Sequence, residues 1–347
     1  MINTNFLEGK TVALIGGAGF IGHNLALELS SFGAKVHAID GLQVNNLGAF
    51  TSSVNLNSSS SLYINFINER LNLLRQKNIP LHIIDARDYH VLSPCLNSIK
   101  PDVVIHLAAV AHANRSNKDP FSTFDHSMRT LENTLDSIKD RKPHFIYFSS
   151  SMVYGNFDGE IVTEEKNCNP LGIYGALKYG SEKLVIAYNQ VFNLEYTIVR
   201  PSALYGERCV SRRVGQAFIE NAVCGKTLTI NGDGSDSLDF TYVKDLIQGV
   251  LRCIENPKSR NEIFNFTYGR ARSLNELAKL VVDFFPGIET QYNPRDTLMP
   301  ERGTLSIQKA KQLLGYEPQF SIEDGFVNYI KWYKNMFADE PELFVRD

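Results

Sequence analysis

The sequence lacks three features that would place it in other classes of protein. It has no run of about 18 apolar residues, so no membrane-spanning helix is predicted. Its 35 Lys and Arg are matched by 38 Asp and Glu, whereas a nucleic-acid partner usually requires a basic face. The first residues are polar and show no secretory signal pattern. We therefore expect a cytoplasmic chain that binds neither membranes nor nucleic acid.

Cysteine is also scarce. The sequence contains no Cys-x-x-Cys pair and no histidine at metal-ligand spacing from a cysteine. An odd and dispersed set indicates free thiols in a reducing compartment, and it predicts no metal site. The five cysteines are Cys95, Cys168, Cys209, Cys224 and Cys253.

Short apolar runs recur through the first two hundred residues, with helical patterns between several of them. Strands that alternate with helices indicate an α/β fold built on a doubly wound parallel sheet. The predicted strands lie over 10–15, 35–39, 81–84, 102–105, 144–148 and 196–199.

After position 200 the pattern changes to short helices and loops. Three helices are predicted for a smaller lobe, whereas a helix over 243–255 and a strand over 263–266 are expected to return to the main sheet. The smaller lobe is therefore discontinuous. The lobe helices are predicted over 273–285, 307–314 and 322–336.

One segment, 51–78, interrupts the alternation of strands and helices. Residues 51–65 are rich in Ser and Asn, and the pattern turns helical over 66–76. We interpret the segment as a surface insertion that carries a loop and a helix.

Three glycines follow the first predicted strand directly and open the first helix. Gly16, Gly19 and Gly22 allow a sharp turn, a close approach of backbone to a pyrophosphate, and tight packing of helix on sheet. The free N–H groups at the start of the helix then bind the phosphates. Because strand, turn, helix and second strand follow in the required order, the pattern predicts a dinucleotide site.

Asp40 ends the second predicted strand, 18 residues after Gly22. A carboxylate at this position accepts hydrogen bonds from the adenosine ribose hydroxyls. Its charge would repel a 2′-phosphate, and no arginine or lysine follows it in 41–43. We therefore predict NAD, and not NADP, as the cofactor.

Other cofactor contacts are expected from the ends of later strands. Asp85 is predicted to touch the adenine amino group, and small residues after the fourth strand let backbone lie against the cofactor. For each of these residues taken singly, close packing of the strands is the alternative explanation. The remaining predicted contacts are Phe20, Ile21, Ala86, Leu107, Ala108, Ala109, Tyr174, Lys178 and Pro201.

Tyr174 and Lys178 are four residues apart and therefore share one face of a helix. A phenol has a pKa of about 10, and a neighbouring ammonium group with a positive nicotinamide ring favours the phenolate. The serines of 149–151 end the fifth predicted strand, at the edge of the sheet where ligands bind. The pattern predicts proton transfer between a substrate hydroxyl and Tyr174, assisted by a serine.

With these motifs, nearly the whole chain resembles the extended short-chain dehydrogenase/reductases, and within them the nucleotide-sugar epimerase/dehydratase family, most of all the UDP-glucose 4-epimerase type. The resemblance implies Ser150 as the catalytic hydroxyl and a homodimer joined by helices, one of which carries Tyr174. It also implies a Rossmann domain, 1–199 plus about 238–268, and a nucleotide-sugar-binding lobe, 200–237 plus about 269–347. The motifs that carry it are 16–22, Asp40, 85–88, 106–109, 149–155, Tyr174 with Lys178, 200–206, 232–234, 239–245 and 309–315.

The residues after Ser150 bear on the type of reaction. Related dehydratases place Asp-Glu there, and related decarboxylases place Glu where Met152 stands; this chain has Ser151 and Met152. The resemblance therefore implies C4 epimerisation of a nucleoside diphosphate sugar, in carbohydrate biosynthesis, through a 4-keto intermediate. The alternatives are a 4-keto reductase or dehydrogenase that exchanges its cofactor, and a non-catalytic NAD-binding regulatory protein.

Three departures from the family pattern affect the substrate site. Leu238 stands where an arginine usually grips the diphosphate, Ala203 replaces a common asparagine, and His126 replaces another. Six arginines could grip the diphosphate instead: Arg208, Arg212, Arg213, Arg270, Arg295 and Arg302. The predicted substrate contacts are His112, Ser151, Arg208, Arg213 and Arg295.

Overall fold

A computed structural model describes residues 6–51, 60–111, 113–295 and 298–344 of the chain. Its centre is a sheet of seven strands, all parallel, in the order β11-β6-β5-β4-β1-β2-β3. The strands are β1 Thr11–Ile15, β2 Lys35–Asp40, β3 Leu81–Ile83, β4 Val103–His106, β5 His144–Phe148, β6 Tyr196–Pro201, β7 Leu204–Tyr205, β8 Leu228–Asn231, β9 Ser237–Leu238, β10 Thr241–Tyr242, β11 Glu262–Phe266, β12 Arg272–Ser273 and β13 Thr290–Asn293.

Helices flank the sheet and build the second lobe. They are α1 Phe20–Ser31, α2 Leu47–Phe50, α3 Ser60–Gln76, α4 Tyr89–Ile99, α5 Ala113–Lys118, α6 Pro120–Phe124, α7 Thr130–Ile138, α8 Gly172–Phe192, α9 Val214–Val223, α10 Val243–Glu255, α11 Leu274–Phe284, α12 Gln308–Leu314 and α13 Ile322–Asp339. A π turn over Asp125–Arg129 joins α6 to α7, and single 3₁₀ turns occur at Ser151–Tyr154, Pro257–Ser259 and Pro341–Phe344.

The sheet confirms the predicted α/β fold class. Strands β4, β5 and β6 are buried along their whole length, as expected of parallel strands covered by helices on both faces. Every predicted strand is present, with ends that differ by at most two residues. Helix α10 and strand β11 follow the smaller strands, and β11 pairs with β6 at the edge of the sheet. The boundaries of the two lobes remain a prediction.

The carboxyl ends of neighbouring strands lie at one level of the sheet. Ile15, at the end of β1, pairs with Ile39 of β2 and with His106 of β4, and His106 pairs with Tyr147 of β5. The segments that follow these strands therefore meet at one edge, which is where open parallel sheets bind ligands.

The interpretation of 51–78 as a surface insertion is wrong for its helix. Helix α3 begins at Ser60, six residues earlier than predicted, and Leu62, Phe66, Arg70 and Leu74 are at most 1% exposed. These positions recur every four residues and so form one face of the helix. That face packs into the main apolar core. The Ser- and Asn-rich part over 52–59 lies outside the described residues.

The second lobe packs on the sheet domain through aromatic side chains. The Tyr242 ring of β10, in the predicted Rossmann domain, lies 5.4 Å from the Tyr205 ring and 4.9 Å from the Phe320 ring, both in the predicted second lobe. The same apolar core continues from β1 and α1 into α9, α11 and α13. Within the described ranges, no helix combines the length and apolarity needed to cross a membrane.

Candidate active site

The turn after β1 has the geometry of a phosphate-binding loop. Gly16 has a φ of +89°, and a Cβ on Gly17 would lie 2.7 Å from the Cβ of Ala38, while one on Gly22 would overlap the Gly16 carbonyl. Helix α1 begins directly after Gly19, and no side chain of the described ranges caps its first turn. Its N–H groups are thus left to an anionic ligand.

Asp40 lies beside this turn, at the end of β2. One carboxylate oxygen accepts from the Ala18 N–H at 3.0 Å and the other from the Leu42 N–H at 2.8 Å. Burial raises the pKa of Asp40, and these two backbone hydrogen bonds counteract the rise. The carboxylate is therefore held in a fixed position in which its remaining lone pairs can accept from ribose hydroxyls.

Asp85 follows β3 and is also fixed. Arg87 lies 2.6 Å from its carboxylate, and Gln43 donates to it at 3.0 Å. Although burial favours the neutral acid, the hydrogen bonds from Arg87 lower the pKa of Asp85 to about 2. Asp85 is therefore a hydrogen-bond acceptor, as contact with an adenine amino group requires.

Two connected cavities lie along this edge of the sheet. The first, of about 170 Å³, is lined by eleven of the predicted cofactor residues: Gly16, Gly19, Phe20, Ile21, Gly22, Asp40, Asp85, Ala86, Leu107, Ala108 and Ala109. The second, of about 650 Å³, is lined by Ser150, Ser151, Tyr174, Lys178, Pro201, Arg213 and Arg295. Ile21, Leu107, Ala109 and Arg213 line both.

This arrangement fits NAD. The glycine turn, the free helix terminus and Asp40 lie in the first cavity, and Tyr174 and Lys178 lie in the second. A dinucleotide that binds along the first cavity would carry its nicotinamide to the junction with the second.

Lys178 lies one helical turn after Tyr174 in α8, and both side chains are at least nine-tenths buried. The Lys178 Nζ donates to the Phe148 carbonyl at 2.6 Å and lies 5.0 Å from the centre of the Tyr147 ring. Burial lowers the pKa of Lys178 to about 7, although the negative charge of Glu182 opposes this shift. The ammonium group is therefore fixed beside Tyr174 in a site with little water.

Ser150 connects β5 to the 3₁₀ turn that follows. Its Oγ accepts from the Met152 N–H at 3.2 Å, which orients the hydroxyl group, and the side chain is 8% exposed to the cavity. Ser151 and Met152 line the same cavity. Ser150, Tyr174 and Lys178 are thus brought to one cavity, as the sequence predicts.

A buried ion pair connects the elements that carry Ser150, Tyr174 and Lys178. Arg200 NH2 lies 2.6 Å from Glu182, and both side chains are at most 3% exposed. Glu182 also accepts from the Ser149 Oγ at 2.5 Å, and the Arg200 guanidinium lies 4.8 Å from the centre of the Tyr154 ring. Because Glu182 follows Lys178 by one turn, this network links α8 to the ends of β5 and β6. The sequence analysis did not identify Glu182.

Arginines make up most of the charged residues that line the larger cavity. Arg213 donates to the Ala111 carbonyl at 2.9 Å, and Arg295 pairs with Asp236 at 2.9 Å. Within the part of the chain that the structure describes, the buried Nε of Arg302 has no hydrogen-bond partner. Burial and the nearby charge of Arg213 lower the pKa of Arg302 to about 10. Arg302 was among the six candidates but not among the predicted substrate contacts.

Arg208 lies outside both cavities. Its guanidinium group pairs with Glu69 of α3 at 2.9 Å and donates to the His23 Nε2 of α1 at 3.1 Å. Arg208 therefore bridges these two helices. Its assignment as a substrate contact remains a prediction that this position does not favour. Arg270 is exposed and does not line the larger cavity. His112 lies outside the described residues.

The three departures from the family pattern lie around the two cavities. Leu238 and Ala203 line the larger cavity, and Ala203 has a φ of +38°, a conformation in which asparagine is more common than alanine. His126 lines the smaller cavity.

Asp239 is buried and accepts from Thr267 at 3.0 Å and from the Leu305 N–H at 3.1 Å, so it is a structural residue.

The model of the NAD dependent epimerase/dehydratase family matches residues 12–266 of the chain. The chain is 29% identical to an uncharacterised UDP-glucose epimerase of Bacillus subtilis, over 95% of this chain and 99% of that protein. It is 30% identical to a putative UDP-glucose 4-epimerase of Methanocaldococcus jannaschii, over 93% of this chain and 98% of that protein.

Solved structures agree with this assignment. The UDP-glucuronic acid 4-epimerase from Bacillus cereus, in complex with UDP-glucuronic acid and NAD, superposes with a TM-score of 0.83. It is 25% identical, over 94% of this chain and 99% of that chain. The site geometry and these matches lead to one conclusion: the chain belongs to the NAD dependent epimerase/dehydratase family.

Proposed function

We propose that this protein epimerises a nucleoside diphosphate sugar at C4 through a transient 4-keto intermediate. The observation that carries the proposal is the position of Tyr174, Lys178 and Ser150 in the large cavity, which joins the cavity that fits NAD. A sugar bound in the large cavity would place a ring hydroxyl at Tyr174.

Tyr174, Ser150 and Lys178 have separate roles in the proposed reaction. Tyr174, as phenolate, takes the proton from the sugar 4-hydroxyl, and the Ser150 hydroxyl shares that proton. Lys178 keeps the phenolate stable with its positive charge and binds the nicotinamide ribose. NAD, held by the glycine turn, Asp40 and Lys178, would supply the hydride chemistry at C4 when bound. The size of the cavity gives the keto sugar room to turn between loss and return of the hydride.

The lining of the cavity disfavours loss of water or CO₂. Elimination of water requires an acid beside C5 and C6, but Ser151 and Met152 occupy the positions where other family members carry one. Among the described residues that line this cavity, Asp236 is the single carboxylate, and it pairs with Arg295. Epimerisation requires only the base and the hydride carrier, both of which the site provides.

We propose that Arg213 and Arg302 bind the diphosphate in place of the arginine that Leu238 replaces. Both line the large cavity, and the buried Nε of Arg302 has no partner. A guanidinium group suits a diphosphate because it donates two parallel hydrogen bonds. Since the relatives are named for UDP-sugars, UDP-sugars are the first substrates to test.

We also propose that the protein forms a homodimer. Helices α5 and α8 are in contact, since Asn117 accepts from the Ile173 N–H at 3.1 Å, and α6 follows α5 directly. On α6 and α8, Phe121 is 85% exposed, Val191 68% and Ile173 37%. Apolar side chains exposed in this way favour burial against a second copy. Sedimentation of wild type beside Phe121→Ser would test the interface.

The proposed activity is tested with a panel of UDP-, dTDP-, CDP- and GDP-sugars, followed by NMR of the products. An epimerase gives the C4 epimer with no free cofactor added, because bound NAD is regenerated in each turnover. A protein that turns over only with added dinucleotide would instead be a reductase or dehydrogenase.

The five described cysteines are all free, which supports a reducing compartment such as the cytoplasm, where nucleotide sugars serve carbohydrate biosynthesis.

A further inference from the structure

Arg70 is a buried arginine that opens onto the cavity of the dinucleotide. Its side chain is 0% exposed, yet it lines this cavity together with Gly19, Gly22 and Asp40. Its Nε donates to the Arg208 carbonyl at 3.0 Å, and its NH2 donates to the same oxygen. The third nitrogen, NH1, is buried and has no hydrogen-bond partner among the described residues.

An unpaired N–H of a buried cation is costly, so a native protein rarely retains one without a ligand. Asp40 attracts Arg70, but the Asp40 carboxylate accepts hydrogen bonds from the N–H groups of Ala18 and Leu42. Arg208 adds a second positive charge nearby. Burial lowers the pKa of Arg70 to about 10, which leaves the guanidinium group charged at neutral pH. The surroundings of NH1 therefore favour an anion.

Helix α3 fixes Arg70 in this place. On the preceding turns, Tyr63 donates to Glu220 at 2.9 Å, and the Phe66 ring lies 4.9 Å from the Trp332 ring. Both contacts join α3 to the second lobe, and α3 also packs on α1. The helix that carries Arg70 is thus held by contacts from both lobes.

We propose that Arg70 binds the pyrophosphate of NAD through its NH1 group. The pyrophosphate is the anionic part of NAD, and the glycine turn with the first turn of α1 brings it into the cavity that Arg70 lines. The inference depends on NAD as cofactor and not on which sugar reaction the enzyme catalyses.

The test compares two competitors that displace NAD from the full chain. The amount of NAD released gives the dissociation constant of each competitor once calorimetry has measured the NAD affinity of the same variant. ADP carries two phosphates, whereas adenosine carries none. In Arg70→Met, ADP should bind roughly 10- to 100-fold more weakly, the range for loss of a charge-assisted hydrogen bond, while adenosine binds as in wild type. Arg75→Met is the matched control, because Arg75 lies on the same helix but is exposed, and both competitors should bind it as they bind wild type.

A purely structural role for Arg70 predicts a different result. ADP and adenosine would then weaken by the same factor, and this outcome, like unchanged ADP binding, overturns the proposal. If Arg70→Met does not fold, a crystal structure of wild type with NAD decides. An NH1 to phosphate-oxygen distance of about 3 Å supports the proposal, and an NH1 that contacts only water or Asp40 refutes it.

Discussion

The Lys178 ammonium group donates to the carbonyl oxygen of Phe148 at 2.6 Å. This hydrogen bond joins the helix that carries Tyr174 to the strand that leads into Ser150, so one cation positions two segments of the active site. It also holds a lysine where little water reaches it, and burial lowers the pKa of Lys178 to about 7. Burial of this lysine therefore makes its charge costly in the folded state.

That pKa predicts a pH dependence of stability. A lysine in an unfolded chain has a pKa of about 10.4, so between pH 7 and about 10 the unfolded state binds a proton that the folded state has released. The contribution of Lys178 to the free energy of unfolding must therefore rise with pH across this interval. Lys178→Met should lose this rise, as measured by urea unfolding at several pH values. A wild-type minus variant difference that is flat across the interval would contradict the assignment.

Loss of the Glu182 charge should destabilise the fold strongly. Glu182→Gln leaves the Arg200 guanidinium buried without its partner, at a cost of about 3–5 kcal/mol in the free energy of unfolding. Glu195→Gln is the matched control: Glu195 pairs with Arg260 at 3.2 Å, but its side chain is 58% exposed, and exposed pairs contribute about 1 kcal/mol or less. Equal losses in the two variants would show that the buried pair has no special role.

The fold and the central part of the site could be predicted because their signals are local. The apolar runs gave the strands, and the glycine turn with Asp40 lies within one strand-helix-strand unit. Tyr174 and Lys178 are related by a single helical turn. Each of these patterns lies within a short stretch of sequence and predicts the local geometry of that stretch.

The residues that the sequence analysis missed are brought to the site by tertiary structure. Arg70 arrives on α3 from a segment interpreted as a surface insertion, although its place among Leu62, Phe66 and Leu74 on one helix face was a signal that it is buried. Arg208, whose contact with substrate remains a prediction, pairs with Glu69. No spacing in the sequence distinguishes an arginine that faces the cavity from one that faces a neighbouring helix.

The preference for NAD should depend on the charge of Asp40. Asp40→Asn keeps the size of the side chain but removes the repulsion of a 2′-phosphate, and Arg70 remains beside it. The ratio of NADP to NAD affinity should therefore rise by a factor of about ten or more, since tenfold corresponds to about 1.4 kcal/mol. Calorimetry with both dinucleotides measures this ratio. An unchanged ratio would mean that another group sets the specificity.

Arg302 should contribute to substrate binding and little to the chemical step. Arg302→Met removes a buried guanidinium whose Nε has no partner, so the KM for the nucleotide sugar should rise about tenfold or more with kcat nearly unchanged. Arg270→Met, at an exposed position that does not line the large cavity, should leave both constants as they are in wild type. A fall in kcat with constant KM would place Arg302 in the reaction itself.

The most direct test of the proposed chemistry follows a deuterium label placed at C4 of the nucleotide sugar that the panel identifies. In the proposed mechanism the same hydride leaves C4 and returns to it, so NMR should find the C4 epimer with its deuterium retained. Tyr174→Phe keeps the ring but removes the base, and should form this product at least about 10²-fold more slowly. A C4 epimer that has lost its deuterium to solvent, or a Tyr174→Phe enzyme as active as wild type, would contradict the account.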